Sequence, residues 1–89
     1  MSSEHRKTIF IHELKTWPMY FEHILLGKKN FEIRKEDDRI FQVGDLVSLK
    51  EFDRGERRYT GRETIRKITY VLRSFDGLMP DYVVLGLTE

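Results

Sequence analysis

The chain has 89 residues, with 16 basic and 15 acidic side chains, a formal net charge of +1 and no cysteine. This length predicts one domain over residues 1–89, because domains usually contain about 50–250 residues. The balanced charge argues against a strongly basic protein that coats DNA without specificity, and the absence of cysteine excludes disulfides, thiolate zinc sites and a cysteine nucleophile.

The N-terminal tail, residues 1–7, is polar and lacks the apolar segment of a secretory signal. No later segment approaches the roughly 20 apolar residues that a membrane span needs. We therefore expect a cytoplasmic protein without a membrane partner.

The segment after this tail predicts a strand followed by a helix. A β-favouring run indicates a first strand over residues 7–14. Thr16 offers a helix N-cap, and Pro18 is tolerated in the first helical turn. Apolar side chains then recur at helical spacing over residues 17–26, and Gly27 is a natural C-terminal stop.

After the helix the apolar pattern changes from helical to alternating, which predicts a strand over residues 30–35. Because side chains alternate along a strand, Phe31 and Ile33 are expected to face the core. Glu32 and Arg34 would then stand on the opposite side and form a polar binding surface.

The second half of the chain predicts further short strands, at residues 46–52, 63–72 and 82–87. A turn in which Gly44 and Asp45 have structural roles leads into the first of them. A hairpin turn is expected at residues 53–56, and Gly61 suggests a bulge.

Five or six short, closely spaced strands and one helix favour a mixed sheet that is curled into a small barrel. The helix would pack against an opening or a side of this barrel. The predicted fold class is therefore α+β, a small mixed β-barrel with one main α-helix packed beside it.

Gly27, Lys29, Glu32 and Arg34 follow the spacing G-x-K-x-x-E-x-R. This pattern resembles the motif of ASCH domains, small relatives of the PUA RNA-binding fold, and the similarity extends to the preceding helix and to several later segments. The resemblance implies a small stand-alone ASCH domain of bacterial or phage type with a PUA-like barrel. It also implies a cleft beside the motif that binds RNA or a nucleotide-like ligand without a cofactor.

The charged residues of the motif have two interpretations. In the first, Lys29 and Arg34 neutralise phosphate or carbonyl charge, Glu32 accepts a hydrogen bond from an exocyclic amine, and Gly27 shapes the turn. In the second, Glu32 forms internal ion pairs that only hold the strand and turn. The residues alone favour the second interpretation, whereas the ASCH resemblance favours a ligand site.

Further ligand contacts are predicted around this cleft. Arg39 and Arg62 are the preferred members of a basic rim that would attract phosphates. The other candidates for this rim are Lys28, Lys35, Arg54, Arg57 and Arg58. For the hairpin tip at residues 54–58, a solvated, charge-rich sheet edge is the alternative.

Three aromatic residues of the helix, Trp17, Tyr20 and Phe21, are considered for base stacking. Phe21 is expected in the core, and Trp17 is kept as the ligand contact. Tyr59 could stack in the same way, but it is expected to pair across strands.

A hydrolase is one alternative function. One ASCH branch hydrolyses N4-acetylcytidine with a threonine nucleophile at the position of Glu32, and with a glutamate from a helical insertion where this chain has only residues 74–81. The resemblance therefore implies binding more than catalysis, and no catalytic residue is assigned. An enzyme acting on an acylated cytidine would use Lys29 as general base and Glu32, in place of the threonine, as an acid-base or nucleophilic carboxylate. A protein-interaction module is the other alternative.

The three histidines lack the spacing of metal ligands, and no cysteine supplements them. His5, His12 and His23 are therefore expected to be ordinary surface residues, and no metal is predicted. The expected partner is RNA or a nucleotide-like ligand, a protein partner is a further option, and the expected state is a monomer or a weak dimer.

Overall fold

The computed structural model describes residues 8–88, which form five strands and one helix. In chain order these elements are β1 (Ile11–Thr16), α1 (Pro18–Leu25), β2 (Phe31–Lys35), β3 (Leu46–Asp53), β4 (Arg58–Leu72) and β5 (Tyr82–Leu87). The strands form one mixed sheet in the order β1-β3-β4-β5-β2, in which β1 is parallel to β3 and the other pairs are antiparallel. The predictions for the tail and for His5 lie outside the described residues.

The predicted barrel is wrong, and with it the α+β class in which a main helix packs beside a barrel. β1 and β2 are the two edges of an open sheet, and no backbone pairing joins them within residues 8–88. The 15-residue β4 links the two halves, because its first part pairs with β3 and its last part with β5. Short strands between turns suit open and closed sheets equally, so the pattern did not determine which edges pair.

The hydrophobic core lies on one face of this sheet, where alternate strand residues meet α1 and the segment before β3. Its buried members are Leu14, Ile24, Phe41, Val47, Leu49, Ile68, Val83, Leu85 and Leu87. β5 shows the expected alternation, with every second residue buried. Among residues 8–88, no helix combines the length and the apolar character needed to cross a bilayer.

β2 alternates as predicted, but the predicted assignment of its two faces is wrong. Phe31 and Ile33 are 40% and 51% exposed, whereas Glu32 is only 4% exposed. The inward side of this edge strand faces a pocket lined partly by charges, and a carboxylate can be buried there because it is paired with cations. The apolar side chains consequently lie on the more exposed side of the strand.

The turn around α1 shows one correct and one incorrect prediction. Gly27 has a φ of 76°, the left-handed conformation that ends many helices, so the predicted helix stop is confirmed. Thr16 is not the N-cap, because it is the last residue of β1 and its hydroxyl donates to the Leu14 carbonyl at 3.3 Å. Trp17 occupies the N-cap position, and Pro18 begins the helix.

The predicted bulge at Gly61 is confirmed. Lys50 of β3 lies opposite Glu63 of β4, but Phe52 lies opposite Tyr59, so β4 carries extra residues between the two pairs. Gly61 has a φ of 97° there, a conformation that glycine adopts without steric penalty. The Phe52–Tyr59 pair also confirms the predicted cross-strand position of Tyr59.

Candidate functional site

A pocket of about 510 Å³ opens between the end of β1, the start of α1 and β2. Its walls are Lys15, Thr16, Trp17, Tyr20, Lys29, Phe31, Glu32, Ile33 and Arg34. The structure therefore brings four of the six predicted ligand residues into one cavity, namely Trp17, Lys29, Glu32 and Arg34.

The end of α1 determines where Lys29 enters this pocket. The backbone N–H groups of Lys28 and Lys29 both donate to the His23 carbonyl, at 2.8 and 3.1 Å, and the N–H of Gly27 donates to the Ile24 carbonyl at 3.1 Å. These bonds close the last helical turn tightly. The chain therefore leaves the helix in a fixed direction that places Lys29 beside β2.

Glu32 lies between the two cations of the motif. Its Oε2 atom is 2.5 Å from Lys29 Nζ, and its Oε1 atom accepts from Arg34 Nη2 at 2.9 Å and from Arg34 Nε at 3.1 Å. Lys29 Nζ also donates to the Phe31 carbonyl at 2.7 Å. The ion pairs of the second sequence interpretation are thus present, and they lie in the wall of the pocket.

Arg34 also connects the two edges of the sheet. Its Nη2 atom donates to the carbonyl of Lys15, on β1, at 2.9 Å. The guanidinium group is therefore held from both sides, by the Glu32 carboxylate on β2 and by the backbone of β1. This arrangement fixes the orientation of Arg34 at the base of the pocket.

Aromatic side chains supply much of the remaining wall. Tyr20 and Phe31 are 41% and 40% exposed, and Lys29 Nζ lies 5.6 Å from the Tyr20 ring centroid and 4.9 Å from that of Phe31. Trp17 borders the same cavity at the N-terminus of α1. The pocket therefore combines exposed ring surface with a buried carboxylate and two cations.

Arg39 and Arg62 lie outside this pocket. Arg39 pairs with Asp38 at 3.6 Å and lines a shallow neighbouring depression that Arg34 also borders. Arg62 makes hydrogen bonds to Glu51 at 3.0 and 3.1 Å and to Glu22 at 2.5 Å. The second arginine therefore joins α1 to the sheet.

Two carboxyl groups outside the pocket have lowered pKa values. Hydrogen bonds from Arg62 and then from Thr60 lower the pKa of Glu51, and the hydrogen bond from Arg73 lowers the pKa of Glu36. Their charged forms are favoured by folding. The stabilisation is complete above their usual pKa of 4.5 and is lost as the pH falls through the lower folded-state value.

This linkage predicts that the folding stability of Glu51→Gln and of Glu36→Gln depends less on pH in the acidic range than that of the wild type. In each variant the thermal unfolding midpoint should fall less steeply below pH 4.5 than in the wild type, because one titrating group with a lowered pKa is gone. The matched control is Glu56→Gln, which alters an exposed ion pair with Arg58. Equal acid slopes for all three variants and the wild type would contradict the prediction.

Sequence reasoning missed Lys15 and a buried histidine, whereas Tyr20 was among the aromatic residues considered for stacking. His12 was expected at the surface and is 7% exposed, so that prediction is wrong. Its Nε2 atom is 2.8 Å from Asp45 Oδ2, and its ring packs 4.6 Å from that of Phe41. The alternating pattern of β1 indicates this burial, because His12 falls on the same face as Leu14 and Thr16.

Comparisons with known proteins identify relatives but no activity. The family described as "Domain of unknown function (DUF3850)" matches residues 11–87. The chain is similar to the "Uncharacterized 12.9 kDa protein in GpA 3'region" of Escherichia phage P2, with 43% identity over 75 residues that cover 84% of this chain. The match covers 65% of that relative's own length. The resemblance to ASCH domains stays a prediction.

Proposed function

We propose that this chain, which belongs to the DUF3850 family, binds a nucleotide-like ligand in the pocket beside β2. The observation that carries the proposal is the buried Glu32 carboxylate, which faces an aromatic-walled cavity between Lys29 and Arg34. The likeness of residues 27–34 to the ASCH motif supports the same conclusion.

The hydrogen-bonding capacity of the three charged residues supports a ligand with mixed donors and acceptors. An ionised carboxylate has about four acceptor positions, and Glu32 uses three of them on Lys29 and Arg34. Among residues 8–88, Arg34 Nη1 has no partner, and Lys29 uses two of its donors. One acceptor and several donors therefore remain for a base edge, a carbonyl or a phosphate.

The size and walls of the pocket suit a base. Its volume of about 510 Å³ falls within the range of roughly 300–1,000 Å³ that small-molecule sites occupy. Trp17 and Tyr20 offer ring surfaces on which a base can stack, and stacking tolerates any base because each has a π-face. The polar groups then provide the selectivity.

Binding is better supported than hydrolysis of a modified nucleoside. Lys29 and Glu32 are paired with each other at 2.5 Å, so neither stands ready as a base or nucleophile without first breaking that pair. Among the described pocket residues, none is a nucleophile with its own base and oxyanion donors. The proposal therefore assigns recognition to these residues.

The single tryptophan of the chain provides a direct test, because Trp17 borders the pocket. Titration with purine and pyrimidine nucleoside monophosphates should give a saturable change in tryptophan emission for at least one of them. Glu32→Gln should lower the affinity for that ligand by about tenfold or more, since a charged acceptor is lost. Glu36→Gln, which alters a carboxylate paired with Arg73 outside the pocket, should leave the affinity unchanged.

Circular dichroism must first establish that each variant is folded. If Glu32→Gln does not fold, Tyr20→Leu replaces it, because Tyr20 is 41% exposed and contributes ring surface rather than an ion pair. No saturable change with any nucleotide in the wild type, or equal weakening by Glu36→Gln, would overturn the proposed function.

A further inference from the structure

A strip of aromatic and cationic side chains extends from the pocket onto the hairpin that joins β3 and β4. We call it the hairpin platform, and it consists of Lys15, Trp17, Phe52, Arg54 and Tyr59, with the exposed Arg57 in the adjoining turn. The ring centroids of Trp17 and Phe52 are 6.1 Å apart, and those of Phe52 and Tyr59 are 5.0 Å apart. Tyr59 is 52% exposed, so the strip ends in accessible ring surface.

Cations lie against these rings. Lys15 Nζ is 4.1 Å from the Phe52 centroid and 6.0 Å from that of Tyr59, and Arg54 Cζ is 4.6 Å from that of Trp17. An arginine stacked on an aromatic ring presents a second flat surface to a base. The platform therefore offers stacking surface and positive charge together.

In the part of the chain that the structure describes, no carboxylate neutralises the platform cations or Arg57. Within residues 8–88, Lys15, Arg54 and Arg57 have no carboxylate oxygen within 4.0 Å. By contrast, Arg62 and Arg73 are each held by glutamates. The charge of the platform is thus available for an anionic partner.

Arg57 has an unusual backbone conformation in the hairpin turn. Its φ is 58°, the left-handed conformation that glycine and asparagine adopt more readily than arginine. Turn geometry therefore does not explain the choice of a long cationic side chain at this position. The side chain is exposed next to the platform.

The platform is continuous with the pocket, because Lys15 and Trp17 belong to both. We propose that a single-stranded nucleic acid binds here, with one nucleotide in the pocket and the next stacked along the platform; this inference rests on the proposed function. Lys15, Arg54 and Arg57 neutralise its phosphates. A duplex does not fit this arrangement, because its bases are stacked on each other and offer no faces to Tyr59.

The test compares the affinities of the full-length chain for oligonucleotides of increasing length. Mono-, di-, tetra- and octanucleotides of RNA and of DNA are titrated and followed by Trp17 emission, and a duplex octamer is titrated beside them. For single strands the affinity should rise with length, by about tenfold for the first stacked base beyond the pocket. A higher affinity for RNA than for DNA would identify RNA as the bound strand. Equal affinities would mean that the site does not contact the 2′-hydroxyl group.

Two sets of variants then assign the length dependence to the platform. Arg54→Gln/Arg57→Gln and, separately, Tyr59→Leu should leave the mononucleotide affinity unchanged and remove most of the gain with length. The double variant should also reduce the slope of log affinity against log salt by about 0.7 for each phosphate that is no longer neutralised. The control, Arg66→Gln/Lys67→Gln, removes the same charge from the part of β4 that pairs with Val47 and Leu46, away from the hairpin turn, and should leave both quantities unchanged.

The outcomes separate the two proposals. If a mononucleotide binds and longer strands bind no tighter, the platform is overturned and the pocket function stands. If the control variant removes the gain as fully as the platform variants, or if the duplex binds as tightly as the single strand, the platform is also overturned. If no mononucleotide changes Trp17 emission, the proposed pocket function fails.

Discussion

Asp45→Ala is expected to lower the free energy of unfolding by about 3 kcal/mol or more. Asp45 is fully buried, and its Oδ2 atom lies 2.8 Å from His12 Nε2. Its carboxyl group also accepts hydrogen bonds from the Gln42 N–H at 3.2 Å and from the Phe10 N–H at 3.3 Å. Alanine would remove these contacts from a site in which both Asp45 and His12 are buried.

The backbone of Asp45 adds to this role. Its N–H donates to the Gln42 carbonyl at 3.0 Å, and its own carbonyl accepts from the Ile68 N–H at 2.8 Å. Gly44, with a φ of 97°, sets the direction of the turn. The residue therefore joins three parts of the chain that are distant in sequence, which are the start of β1, the turn before β3 and the middle of β4.

Urea unfolding measures the loss of unfolding free energy in Asp45→Ala, and two further variants serve for comparison. Asp45→Asn keeps one acceptor oxygen and should lose clearly less stability than Asp45→Ala. Asp53→Ala removes a turn carboxylate that accepts one hydrogen bond from the Glu56 N–H at 3.0 Å, and should cost about 1 kcal/mol or less. A loss for Asp45→Ala no larger than that for Asp53→Ala would contradict the structural role assigned here.

Local chemistry made several elements predictable. Gly27 ends the helix because a left-handed residue is needed there, and the final strand, Tyr82–Leu87, matches its predicted bounds because its apolar run is short and isolated. Lys29, Glu32 and Arg34 were also found together, since one turn and one strand carry all three. Neighbours in sequence were predictable because their relative positions depend on local geometry.

Long-range relations were not predictable in this way. The buried face of β2 was assigned from its apolar residues, but the side that turns inward depends on where β1 and α1 lie. The sequence contained no signal that Lys15 would reach the pocket or that Arg62 would bind Glu51 and Glu22. These contacts depend on the order of strands in the sheet, which a pattern of short strands leaves open.

Removal of the Glu32 carboxylate is the second change that we expect to reduce stability strongly, because it leaves two cations facing each other. Glu32→Ala should lower the free energy of unfolding by about 2 kcal/mol. The loss should fall below the roughly 3–5 kcal/mol of a fully buried pair, because the Lys29 and Arg34 side chains are 16% and 23% exposed. Urea unfolding of Glu32→Ala beside Glu63→Ala, whose carboxylate is 47% exposed, measures the difference.

A triple variant decides whether these charges serve stability or binding. In Lys29→Met/Glu32→Leu/Arg34→Met the whole charged set is replaced together, so no ion is left unpaired. Apolar replacement of a buried ionic group is often neutral or stabilising, and we expect an unfolding free energy within about 1 kcal/mol of the wild type together with loss of the nucleotide-dependent Trp17 signal. A triple variant less stable than Glu32→Ala would instead make the charged set a structural element, in which the hydrogen bond from Arg34 to the Lys15 carbonyl is essential for joining the two edges of the sheet.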